Sequence, residues 1–276
     1  MIIQSGEVSL YVEVNEALLD EYLNPVIFLH GFTGSSADWQ FIYDKLPPRF
    51  LPVAVDLIGH GKSSAPDDAK FYSVESITRQ LDCIMDALKF KEAIFCGYSM
   101  GGRAALSYYS FCPEKVMGLI LESTTPGIKE LQFRNERVRS DKVLIKILES
   151  DGMDKFVTHW LNQPLFESLK ELSAERYKDL EQRKRDNNPI GLINCLLGFG
   201  TGNMPNLWWE LEEIGIPVLL VTGEMDKKYY EINERMHEKI ASSAHFQIPG
   251  CGHNVHLEKP EEFINLVNKY LLDNYS

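Results

Sequence analysis

Short apolar runs alternate with polar, helix-periodic stretches along the chain. Residues 25–31 (PVIFLHG) and 51–57 (LPVAVDL) read as strands. A helix over 73–88 follows, then a strand at 93–99 (AIFCGYS), a helix starting near Ser99, and a strand at 118–123 (GLILES). Each strand ends in turn residues, and the alternation predicts a mostly parallel central sheet flanked by helices. After Ser123 the rhythm breaks. About ninety residues carry helix-like segments and no comparable strand until 217–223 (PVLLVTG). The strand pattern returns at 244–250 (AHFQIPG), and an amphipathic helix follows Pro260. Strands on both sides of the helical stretch favour an insertion over a separate domain. The expected organisation is an α/β core of residues 1–123 and 214–276, with 124–213 as a helical lid.

Composition narrows the partners. With 276 residues, 44% hydrophobic and 25% charged, the chain can bury a substantial core without long disorder. A net charge of −12 lacks the positive field that nucleic acid or an anionic membrane attracts. No basic-then-apolar leader opens the chain and no run is apolar enough to span a bilayer, so a cytoplasmic location is expected. Five widely spaced cysteines, without metal-binding spacing, are expected as reduced thiols. Cys96 lies beside Ser99, but its apolar strand assigns it to packing. No metal cluster, phosphate loop or dinucleotide fingerprint is apparent, so the expected chemistry needs no cofactor. Oligomeric state is left open, a homo-oligomer included.

Against that background one constellation stands out. Gly97-Tyr98-Ser99-Met100-Gly101 matches G-x-S-x-G between an apolar strand and a helix, where a sharp turn projects the serine from the sheet. The bland reading is a glycine-rich helix start capped by Ser99. A hydroxyl needs a base, and His253 follows a late strand in Gly252-His253-Asn254, nearer the strand end than its rival His256. A carboxylate is expected between serine and histidine in chain order, beyond a strand. Asp226 in Gly223-Glu224-Met225-Asp226 fits better than Glu224. Near His30-Gly31, the backbone amides of Phe32 and Met100 are the expected oxyanion donors. His30 itself is open to a packing role under the turn. Four elements in this order, over nearly the whole chain, resemble the α/β-hydrolase superfamily, which hosts esterases, C–C hydrolases, haloperoxidases and some lyases.

The surroundings point to an anionic substrate. Arg103 lies one helical turn after Ser99, where it either faces the site or pairs with a core carboxylate. The insertion begins Arg134-Asn135-Glu136-Arg137-Val138-Arg139-Ser140-Asp141, three arginines that are either solvated or suited to bidentate anchoring of carboxylates. The segments GYSMGGR, ESTTPGI, NERVRSD, HWLNQPLF and GTGNMPNLW together resemble the MenH family, the 2-succinyl-6-hydroxy-2,4-cyclohexadiene-1-carboxylate synthases of menaquinone biosynthesis. The resemblance implies a lyase that eliminates pyruvate from a small polycarboxylate substrate. It puts Tyr98, Arg103, Arg137 and Trp160 at substrate-binding positions. A further lid arginine of the family falls by spacing on Lys184, with Arg183 and Arg185 one residue to either side. Trp208 is assigned to packing, and Trp160 is open to the same reading. The rival functions are a carboxylesterase or C–C hydrolase of the same fold, and a ligand-binding protein without catalysis.

Overall fold

A computed structural model describes residues 1–19 and 23–275. Eight strands form one sheet: β1 (Ile2–Ser5), β2 (Val8–Val14), β3 (Asn24–Leu29), β4 (Phe50–Val55), β5 (Ala93–Tyr98), β6 (Val116–Glu122), β7 (Val218–Gly223) and β8 (Ser243–Ile248). Their order is β1-β2-β4-β3-β5-β6-β7-β8, antiparallel at the β1–β2 and β2–β4 pairs and parallel from β4 onward. Every residue of β4, β5 and β7 is buried, because helices cover both faces of the central parallel strands, and this explains their apolar runs. The pair β1–β2 was not expected from the sequence. In β2 the buried residues Val8, Leu10 and Val12 alternate with more accessible ones, the period-2 pattern of a strand with one face packed.

Eight α-helices accompany the sheet among the described residues: α1 (Val74–Ala87), α2 (Met100–Phe111), α3 (Leu131–Leu161), α4 (Ala174–Arg185), α5 (Pro189–Phe199), α6 (Lys227–His237), α7 (Val255–Glu258) and α8 (Pro260–Asn274). Ser73 caps α1 through a hydrogen bond from Ser76 N, and Pro260 opens α8, so both predicted helices lie where expected. Helices α3 to α5 all fall between β6 and β7. They pack around Leu144, Leu148, Phe156, Trp160, Leu169 and Leu196, and Phe32 from the β3 end leans on that cluster. Gly152 breaks α3 at φ 78°, a backbone state that costs a Cβ-bearing residue more. No described helix is long and apolar enough to cross a membrane.

Register decides where the chemistry can gather. Leu29 is level with Gly97, Tyr98 with Glu122, and Gly223 with Ile248. The segments that follow β3, β5, β6, β7 and β8 therefore emerge together at the carboxyl edge of the sheet, where open α/β sheets bind ligands.

Candidate active site

Ser99 sits between β5 and α2 at φ 50° and ψ −102°, outside the regions an L-residue prefers. Such a state costs on the order of 1–3 kcal/mol and is held by its surroundings. Here Ser99 N donates to the Glu122 carbonyl at 2.8 Å and Thr124 Oγ1 donates to Ser99 O at 2.6 Å. The close crossing needs its flanking glycines. A Cβ on Gly101 would run into the Leu29 carbonyl, and one on Gly97 into the Gly101 backbone.

The structure brings together the three residues named from the sequence. Ser99 Oγ and His253 Nε2 are 3.2 Å apart, and His253 Nδ1 and Asp226 Oδ2 are 2.6 Å apart. The carboxylate accepts from Nδ1–H, which leaves the Nε2 lone pair to accept the serine proton. Asp226 also caps α6, its Oδ1 accepting from Tyr229 N at 3.3 Å. Glu258 fastens the histidine loop from below by accepting from Gly252 N at 2.8 Å and Asn254 N at 3.2 Å. Burial raises the Glu258 carboxyl above the ordinary carboxylate range, against the two amides that favour its charge. Glu224 instead accepts from Gly250 N at 2.9 Å and has no contact with His253.

His256 belongs to a second buried pair. Its Nδ1 lies 2.8 Å from Glu122 Oε2, its backbone N donates to Glu122 Oε1 at 3.0 Å, and its ring stacks on Trp39 at 4.2 Å. His30 fastens the turn after β3: Nδ1–H donates to Gly31 O at 2.7 Å and Nε2 accepts from Leu57 N at 3.0 Å. Burial lowers its pKa, in keeping with this neutral, doubly bonded ring. The packing reading of His30 therefore holds. Cys96 is fully buried, and that burial pushes its thiol well above the ordinary range.

Phe32, Tyr98, Ser99, Met100, Arg103, Arg137 and Trp160 all line one chamber of about 60 Å³. A larger cavity of about 770 Å³ adjoins it and shares Arg137, Trp160, Leu165, Tyr229 and His253. Arg103 is buried, donates to the Phe199 carbonyl at 2.6 Å, and stacks 4.7 Å from the Phe199 ring. Among the described residues it has no carboxylate at ion-pair distance, so the paired-arginine reading does not apply. Burial, and then Arg137, bring its pKa down to about 10, still charged at neutral pH. Arg137 gives Nε–H to Asp141 Oδ1 at 2.8 Å. Asp141 is itself buried, which raises its carboxyl pKa against the pull of Arg137.

Only one of the three clustered arginines reaches the chamber. Arg134 donates to the carbonyls of Gly202 and Met204, and Arg139 donates to the Asn135 carbonyl. Trp208 donates to Gly127 O at 2.9 Å within the core, as a packing residue would. Trp160 Nε1 is buried beside the chamber with no hydrogen-bond partner among the described residues. Of the trio near the end of α4, Arg183 pairs with Asp38, Arg185 with Glu181 and Asp154, and Lys184 turns inward to Thr33. None of the three lines either cavity. Tyr229, its ring 4.5 Å from His253, was missed. Its only sequence signal was its place in the first turn of the helix capped by Asp226.

Residues 24–260 match the family model of the alpha/beta hydrolase fold, and the chain is an enzyme of that fold. It is 44% identical over 262 residues to a Bacillus subtilis (strain 168) protein provisionally named 2-succinyl-6-hydroxy-2,4-cyclohexadiene-1-carboxylate synthase, covering 94% of this chain and 95% of the relative. The solved structure of MenH from S. aureus is 34% identical with a TM-score of 0.90, covering 97% of this chain and 99% of that one. The chain belongs to this synthase family within the α/β hydrolases. A thermophilic esterase from Thermogutta terrifontis has a TM-score of 0.86 at 22% identity, covering 100% of this chain and 99% of that one, and so shares the fold.

Proposed function

We propose that this enzyme is a carbon–oxygen lyase of menaquinone biosynthesis. It converts 2-succinyl-5-enolpyruvyl-6-hydroxy-3-cyclohexene-1-carboxylate to 2-succinyl-6-hydroxy-2,4-cyclohexadiene-1-carboxylate and pyruvate, with Ser99, His253 and Asp226 as its catalytic triad. The observation that carries this reading is the pair Arg103 and Arg137 beside Ser99, with Arg103 buried and, among the described residues, without a carboxylate at ion-pair distance. A buried guanidinium without a counter-ion is costly, and a substrate carboxylate removes that cost through a charge-assisted hydrogen bond. A simple ester gives no reason for it.

In the proposed reaction Ser99, hydrogen-bonded to His253, takes the acidic ring proton, and the serine's own proton passes to Nε2. The electrons of the broken C–H bond form the new ring double bond as the C–O bond to enolpyruvate breaks. Protonated His253, stabilised by Asp226, returns the proton to the departing enolpyruvate, which tautomerises to pyruvate. The amides of Phe32 and Met100, with the two arginines, stabilise the negative charge that develops. Tyr98 and Trp160 shape the chamber, and Trp160 Nε1 is a donor available to the substrate. Residues 124–213 act as a lid over the core formed by 1–123 and 214–276, since Arg137 and Trp160 of that segment wall the chamber.

Incubation with the cyclohexene substrate should release pyruvate in step with the ultraviolet absorbance of the conjugated ring, and Ser99→Ala should abolish both. Near-normal turnover by Ser99→Ala removes the serine from the mechanism. A burst of alcohol from a simple ester, with no pyruvate from the cyclohexene, identifies a hydrolase instead.

A further inference from the structure

The turn that carries the Phe32 amide is strained. Gly34 N donates to Gly31 O at 3.0 Å, and Thr33, the third residue of the turn, has φ 67°. Glycine or asparagine is favoured there, and a β-branched residue is strained. The hydroxyl and the carbonyl of this threonine are held from the last turn of α4 and the turn just after it, more than 150 residues away in sequence. Lys184 Nζ donates to Thr33 Oγ1 at 3.0 Å, and Asn187 Nδ2 donates to Thr33 O at 3.0 Å.

Lys184 is an unusual group to spend on such a bond. It is buried, its hydrogen-bond partner is a neutral hydroxyl, and the nearby Asp38 is taken by Arg183 Nε at 3.4 Å and by Ser35 N at 3.3 Å. Burial brings its pKa down to about 8, with Asp38 opposing that shift and Arg183 adding to it. Although its spacing in the sequence suggested a substrate contact, it borders neither the Ser99 chamber nor the larger cavity.

We propose that Lys184, with Asn187, is a positioning residue that reaches from α4 to hold the Gly31–Gly34 turn and so aims the Phe32 amide at the developing oxyanion. The oxyanion hole then depends on how the helical segment seats against the core. This inference rests on the reading of Ser99 as the reacting hydroxyl and Phe32 as an oxyanion donor.

The test combines two reactions of the full chain. In one, an uncharged fluorophosphonate labels Ser99: the Oγ–P bond forms, the P–F bond breaks, fluoride leaves, and His253 takes the hydroxyl proton. The phosphoryl oxygen needs the oxyanion hole but offers no carboxylate to a lysine. The other reaction is pyruvate release. Lys184→Met and Thr33→Gly should each lower the labelling rate and kcat about tenfold, a partial loss of what an oxyanion donor supplies, with KM within twofold. Thr33→Gly fits the positive φ, and Lys184→Met removes a buried charge, so both should keep the native Tm or exceed it. Thr33→Ser should label at the native rate, and the double variant no more slowly than the slower single one.

Labelling of Lys184→Met within twofold of native overturns the proposal, and a raised KM alongside it makes Lys184 a substrate contact. Effects that multiply in the double variant, or slow labelling with a lowered Tm in both single variants, also overturn it. Native protein that labels normally but releases no pyruvate defeats the functional reading alone, and the labelling rates still decide this one.

Discussion

Two carboxylate–histidine pairs lie within a few residues of each other, and their chemistry at Nδ1 is nearly the same. His253 meets Asp226 at 2.6 Å and His256 meets Glu122 at 2.8 Å, with all four side chains buried. The difference is in the second nitrogen. His253 Nε2 faces Ser99 Oγ at the wall of the chamber, whereas His256 Nε2 has no partner among the described residues and its ring is stacked on Trp39. A buried imidazole–carboxylate pair is therefore not by itself a general base. It needs an open nitrogen aimed at a proton. Glu122 instead links parts of the scaffold, since its carbonyl holds Ser99 N and its side chain holds the start of α7.

The largest expected effect would break this comparison at its catalytic side. His253→Ala should lower kcat by about 10³-fold or more, as loss of the base in a serine triad does, while urea unfolding shows a folded protein. His256→Ala should leave kcat per folded molecule within tenfold of native. It strips the buried Glu122 carboxylate of its imidazole, as His253→Ala does for Asp226, so each variant loses about 3–5 kcal/mol in urea unfolding and only kcat separates them. If the two variants exchange these outcomes, the assignment of the base is wrong.

Lys184 sharpens the comparison, because it is a buried charge with a neutral partner. Its folded-state pKa of about 8 lies below the ordinary value of 10.5, so between those pH values the unfolded chain binds the extra proton. Stability of the native protein relative to Lys184→Met should therefore rise as pH goes from about 8 to 10.5. Below pH 8 the full deficit is present, on the order of 3 kcal/mol from the shift, and denaturant unfolding of both proteins across that range measures it. The smallest effect concerns the more accessible Arg137–Asp141 pair. Arg137→Ala should raise KM about tenfold, worth about 1.4 kcal/mol of carboxylate binding, with kcat/KM falling in step. Steady-state kinetics showing neither change removes Arg137 from substrate recognition.

Local sequence determined much of this protein. The apolar runs gave β3 to β7 because strands buried on both faces are nearly uniformly apolar, whereas β8, also found, lies at the sheet edge with none of its residues buried. The hydrogen-bonded chain Ser99–His253–Asp226, proposed as the triad, was legible because each member follows a strand end, and glycine, serine, histidine and aspartate at such turns have narrow physical uses. The β1–β2 pair was missed because β2 packs on one face only, so its apolar residues alternate with polar ones and form no unbroken run. Only the tertiary structure decided which charges serve the chamber. Arg134, Arg137 and Arg139 share one helix, and its rotation against α5 and the core leaves Arg137 alone at Ser99. The pairing of Glu122 with His256, the approach of Tyr229 to His253, and the bond from Lys184 to Thr33 join residues far apart in the chain. Periodicity and motif report a residue's own element, whereas such contacts depend on how elements pack against one another.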